Sequence, residues 1–171
     1  MKKYLFLFCA LITLSFAYGQ TTNKNLLYGH WKTYYLSNSG ITVDCNNLPY
    51  SQQQAFKVAL AKKPSHLLDP KDSANIIHQI TLASKEIDSS YLEINKDGKF
   101  YSVIYFAEGK IKPLKENSTY KWEGDNKLMV TNEAGDVNIM SIKTLTKNDL
   151  KIVVNEDKGT ENSFTLKLKK E

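Results

Sequence analysis

The sequence predicts an antiparallel β protein with one domain, a meander of eight short strands with two helices between the first strand and the second. Three observations carry this. From Tyr91 onward, alternating apolar and polar runs follow one another, broken by Gly, Asn and Asp turns. Between residues 50 and 88 the apolar spacing is instead that of helices. Residues 20–171 suffice for one core, and no repeat, linker or low-complexity stretch divides them.

The first nineteen residues stand apart. Lys2 and Lys3 precede an apolar run from Tyr4 to Phe16, followed by Ala17-Tyr18-Gly19. A charged start, a short apolar core and small residues at the last and third-last positions before a cut make residues 1–19 a signal peptide, cleaved after Gly19. The run is shorter than the roughly 20 residues of a spanning helix. The expected product is therefore exported, periplasmic or extracellular, without membrane insertion. Cleavage removes Lys2 and Lys3, taking the formal charge from +5 to +3, and removes Cys9. Cys45 is then alone, with no intrachain disulfide open to it, and reads as a small apolar residue. The chain contains no arginine. Arginine supplies the bidentate phosphate and guanine contacts of nucleic-acid readers, so nucleic acid is not an expected partner.

Residues 31–37 form the first strand. The first helix runs from Ser51 to Lys63, with Ala55, Phe56, Ala59 and Leu60 on one stripe, and stops before Pro64. The second begins at Asp69-Pro70, a cap followed by a proline at the first helical position, and runs to about Asp88. Its stripe is Ile76, Ile80, Ala83 and Ile87, and such a stripe lies against a sheet or a barrel mouth. The remaining strands are 91–95, 99–106, 117–123, 127–132, 137–145, 150–155 and 162–169. Lys96-Asp97-Gly98 closes the first hairpin of this series. In the last strand Phe164, Leu166 and Leu168 share one face, and Thr165, Lys167 and Lys169 the other. Residues 99–106 are apolar on both faces, with Phe100, Ile104 and Phe106 against Tyr101, Val103 and Tyr105, so that strand is expected to be covered on both sides.

Gly29-His30-Trp31 resembles the G-x-W motif that opens the first strand of lipocalins and of lipocalin-like domains in exported bacterial proteins. The resemblance covers about 26–37 and 90–169. It implies an eight-stranded up-and-down barrel (a calycin-type fold), with Gly29 and Trp31 as the structural plug of its closed end and a small apolar ligand in its lumen. Lipocalins usually place an arginine of the last strand over that tryptophan; here Lys167 or Lys169 would have to substitute. The helices also sit between the first two strands, where fatty-acid-binding proteins carry a helical cap. The Ala17-Tyr18-Gly19-Gln20 junction and the Lys, Asn and Tyr richness are similar to proteins exported by Bacteroidota.

Catalytic chemistry finds little support. His30, His66 and His78 are dispersed, Cys45 has no companion, and no G-x-S-x-G elbow occurs. No enzyme activity, metal or cofactor is expected. With Trp31 facing inward, period two places Thr33 and Tyr35 in the lumen, along with Leu92, Ile94, Phe100, Ser102, Ile104, Tyr120, Trp122, Leu128 and Val130. Of these, Tyr35, Phe100, Ser102, Ile104, Tyr120 and Trp122 are the candidate ligand contacts, with hydroxyls from Tyr35, Ser102 and Tyr120 to orient a ligand. Two functions follow. One is a monomeric carrier of a small hydrophobic or amphipathic molecule, with the helical pair as a lid. The alternative is a filled barrel or sandwich acting through its surface on a protein partner, as an envelope accessory, inhibitor or immunity protein, with Tyr34, Tyr101 or Tyr105 in the contact patch. Lumen volume separates them: a void of roughly 300 Å³ or more favours the carrier.

Overall fold

The computed structural model describes residues 23–62, 68–104, 114–156 and 163–171. The signal peptide over 1–19, His66, Tyr105 and Phe106 lie outside the described residues, as does the side chain of Ile104. A 3-10 turn at Lys24–Leu27 leads into β1 (Gly29–Asn38) and β2 (Ile41–Asp44). The helices α1 (Leu48–Ala61) and α2 (Pro70–Ser89) follow. Then come β3 (Tyr91–Ile94), β4 (Lys99–Ile104), β5 (Leu114–Glu123), β6 (Lys127–Asn132), β7 (Val137–Leu145), β8 (Asp149–Val154) and β9 (Phe164–Lys170).

From β3 to β9 each strand pairs antiparallel with the next, and β9 returns to β1, which also pairs with β3. Those eight strands make a closed up-and-down barrel with no free edge in the ring. Hairpin chemistry drives the sequence of reversals. Gly98, Gly124 and Gly135 all take positive φ at the turns between successive strands.

β2 is a ninth strand that the sequence reading passed over. Ser39 (φ 49°) and Gly40 (φ 83°) form a two-residue loop with both residues left-handed, the pattern that suits the twist of a hairpin. Asn38 then faces Ile41, and Leu36 faces Val43. β2 takes the second half of an edge of β1 whose first half belongs to β3, so the two short strands lie end to end along β1.

The helices follow β2. Asn47 caps α1 by accepting from the Tyr50 amide at 3.1 Å, so the helix starts at Leu48, three residues before the Ser51 expected. Asp69 caps α2 by accepting from the Asp72 amide at 2.7 Å, and Pro70 opens it. The stripe of α2 is the predicted one: Ile80 and Ile87 are buried, with Ile76 and Ala83 packed beside them. They meet Val43, Leu36, Leu48 and Ala55 in a small apolar cluster. α2 packs on β1, β2 and β4, and Val103, on the outer face of β4, is buried accordingly.

The main core lies inside the barrel. It comprises Leu27, Trp31, Leu92, Ile94, Phe100, Tyr120, Leu128, Val130, Ile142, Leu150, Ile152, Val154, Leu166 and Leu168. Leu36 touches both clusters and joins barrel to helices.

Candidate functional site

The closed end is built around Trp31, which is fully buried. Its indole Nε1–H donates to the Leu27 carbonyl at 2.7 Å, so the 3-10 turn both covers the ring and satisfies its only polar atom. Trp31 faces Lys170 in the β1–β9 ladder. The Lys170 ammonium lies 5.0 Å from the Trp31 ring centroid and donates to the Leu26 carbonyl at 3.0 Å. Lys170, in place of Lys167 or Lys169, therefore occupies the position over the tryptophan. The reason is period two: Leu166 and Leu168 point inward, so the next inward residue of β9 is Lys170. Gly29 completes the arrangement. Its φ is +130°, and a Cβ placed there would meet the Lys170 Cε at 3.0 Å.

Lys167 and Lys169 face outward, their ammonium groups over the rings of Tyr35 at 4.0 Å and Tyr34 at 5.5 Å. This corrects the expected lumen position of Tyr35. The β1–β9 register steps from Thr33 opposite Leu168 to Tyr35 opposite Lys167, a bulge that inserts Tyr34. After one extra residue the faces exchange, and Leu36, opposite Leu166, takes the inward place.

The other predicted lumen residues occupy different levels. Phe100 and Ser102 are buried mid-barrel on β4. Ile104 ends β4 opposite Leu114. Tyr120 is buried, but its hydroxyl donates to the Asn95 carbonyl at 2.7 Å, tying it to the β3–β4 turn. Burial, followed by the neighbouring Tyr28, pushes its pKa up to about 12. Trp122 is half-buried at the closed end, with the Lys24 ammonium 4.5 Å from its ring centroid.

The upper lumen holds a cavity of about 90 Å³, lined by Leu92, Phe100, Ser102, Glu116, Ser118, Val130, Asn132, Asn138, Met140, Val154, Phe164 and Leu166. The lining combines apolar side chains with a carboxylate, two amides and two hydroxyls. Glu116 was legible but missed. It lies two residues before Ser118 on the same face, and reading β5 as starting at Asn117 left it out. Water occupies roughly 30 Å³ per molecule in the liquid, so this space suits a few waters or a very small polar molecule.

A larger concavity of about 510 Å³ lies on the outer face of β3 to β6. Its lining includes Glu93, Asn95, Lys99, Tyr101, Asn117, Thr119, Thr131, Asn132 and Glu133. The registers arrange these as cross-strand rungs. His30, Glu93, Tyr101 and Asn117 form one, and Lys99, Thr119 and Thr131 form the next. Asn117 donates its side-chain amide to Glu133 at 3.2 Å, and Asn95 donates to Glu93 at 3.4 Å. Lys99 is paired with Asp97 at 3.1 Å, and that contact holds the Asp97 carboxyl below its ordinary range. Tyr91 lies 6.2 Å from Tyr101, centroid to centroid, and His30 stacks on Tyr91 at 4.5 Å, which prolongs the groove as an aromatic row. Of the sequence-predicted contact residues Tyr101 belongs here, Tyr34 lies under Lys169, and Tyr105 is outside the described residues.

Among the described residues, no three His, Cys, Asp or Glu side chains gather as a group able to hold a metal ion. His30 reaches Glu171 at 3.3 Å on the surface, and His78 is exposed on α2. No described helix is long and apolar enough to cross a membrane. The architecture is consistent with a calycin-like fold. No family model, curated protein or solved structure matches the chain.

Proposed function

We propose that this is an exported, non-catalytic binding protein of lipocalin-like descent that works from the outside of a filled barrel. The observation that carries this is the lumen volume. Small-molecule pockets span about 300–1,000 Å³, whereas the described lumen offers about 90 Å³. Fully buried Trp31, Leu92, Ile94, Leu128, Leu150, Ile152 and Leu168 pack the described interior beside it. A barrel packed in this way is a rigid platform, and the binding surface is the 510 Å³ outer groove. Export rests on Lys2, Lys3, the apolar run to Phe16 and the small residues Ala17 and Gly19. Lipocalin-like descent rests on Gly29, on Trp31, and on the basic side chain that covers the ring.

Native mass spectrometry of protein purified from an exporting host tests the reading. The expected spectrum is a bare chain beginning at Gln20. A discrete additional mass that leaves on denaturation, and is absent from a lumen-filling Ser102→Phe variant, would overturn the surface reading and establish a carrier of a small amphipathic molecule.

A further inference from the structure

We infer that the outer groove of β3 to β6 binds a neutral saccharide chain, with Tyr101 as the stacking platform. This rests on the surface reading above and names its ligand class. Several features of the groove select that class. Every strand beneath it is paired on both sides, so no backbone edge is open to an extended peptide and recognition must come from side chains. Those side chains are an aromatic ring flanked by amides, hydroxyls and carboxylates. The apolar C–H face of a pyranose suits a tyrosine ring, and its hydroxyls, each donor and acceptor, suit the rest.

The polar groups are also held in place before any ligand arrives. Glu133 accepts from Asn117 and Glu93 from Asn95, both within the groove. A carboxylate offers about four lone-pair sites, so each retains capacity for a sugar hydroxyl. Such preorganisation lowers the ordering cost of binding.

Charge excludes the alternatives. Glu93 and Glu133 disfavour phosphate, sulfate or uronate, and among the described lining residues the one lysine, Lys99, is engaged by Asp97. The two carboxylates sit at opposite ends of the Tyr101–Asn117 rung and form no cation cluster. The row from Tyr101 through Tyr91 to His30 provides further ring surface for a ligand longer than one sugar.

The test is an array of immobilised neutral and acidic oligosaccharides probed with the mature protein, followed by solution titration of the retained glycans. Neutral glycans should be retained. Tyr101→Ala should weaken binding by about tenfold or more, while Tyr101→Phe, which keeps the ring, stays close to wild type. Thr131→Lys, at a solvent-facing strand position, should block the groove without touching the core, so the test stands even if Tyr101→Ala fails to fold. Retention of no neutral glycan, retention of acidic glycans alone, or binding unchanged in both Tyr101→Ala and Thr131→Lys would overturn the inference. Its failure is distinguishable from failure of the surface reading, because the lumen is interrogated separately by the native mass. A bare mass with an empty array sinks the saccharide alone; a lumen ligand sinks the surface reading whatever the array returns.

Discussion

Lys170 reaches across the closed end of the barrel to cover Trp31, its ammonium 5.0 Å from the ring centroid and 3.0 Å from the Leu26 carbonyl. One side chain thereby joins the last strand, the first strand and the 3-10 turn. A partly desolvated cation over an indole contributes about 0.5–2 kcal/mol, and a hydrogen bond to a charged donor about 1.5–3 kcal/mol. Lys170→Met is expected to lower stability by about 1–3 kcal/mol in urea unfolding with an unchanged m-value, and Lys170→Arg to retain most of it. A Met variant as stable as wild type would show that the β1–β9 ladder closes the barrel unaided.

Gly29 faces two penalties from a side chain, its φ of +130° and the Lys170 Cε at 3.0 Å. Gly29→Ala should cost about 1–3 kcal/mol. In a Lys170→Ala background the steric part disappears and the backbone part stays, so the double-mutant cycle should give a smaller but non-zero cost. Equal costs in both backgrounds would assign the whole effect to the backbone.

The lumen reading predicts opposite responses at two levels of the barrel. Leu128 is 1 % exposed, and Leu128→Ala should cost about 2–5 kcal/mol. Ser102 borders the 90 Å³ cavity, so Ser102→Val should stay within about 1 kcal/mol of wild type, because the added methyls have space to enter. Calorimetry of both variants checks this; a severely destabilised Ser102→Val would mean the cavity is too rigid to accept them.

Tyr120 ties stability to alkaline pH. Its pKa rises from 10.0 to about 12 on folding, chiefly through burial. Because the unfolded chain loses this proton first, the contribution is fully present below pH 10 and is lost as pH rises from 10 towards 12. Denaturant unfolding across that window should show a steeper decline for wild type than for Tyr120→Phe. Parallel declines would place the lost proton elsewhere.

Cys45 should react slowly. Burial, the largest influence, raises its thiol pKa, and Sγ–H donates to the Ser84 carbonyl at 3.4 Å. At neutral pH its labelling by a thiol-exchange reagent should be slower in the native protein than in urea, since the thiolate is the reactive form. Equal rates would mean that α2 lifts readily from β2.

Much of this molecule is written in local pattern. The meander after Tyr91, the Asp69-Pro70 start of α2 and its Ile80 and Ile87 stripe follow from period, turn residues and capping, each decided by a few neighbouring residues. β2 was equally legible, since Ser39-Gly40 ahead of Ile41-Thr42-Val43 is a hairpin signal. So was Lys170, one step further along the alternation that placed Leu166 and Leu168 inside.

The antiparallel meander, its helical insertion and the inward face of most strands are legible in the amino-acid order alone, because side-chain alternation and turn chemistry are local. Three features come from the tertiary structure: Tyr35 faces out, the described lumen residues leave a cavity of about 90 Å³, and Glu93, Tyr101 and Asn117 form one rung outside it. The first depends on the register of β1 against β9 at the far end of the chain, the second on packed volume, and the third on the β4–β5 register across the nine residues between Ile104 and Leu114. A single bulge at Tyr34 exchanges the faces of all that follows, and nothing in the alternation of β1 announces it.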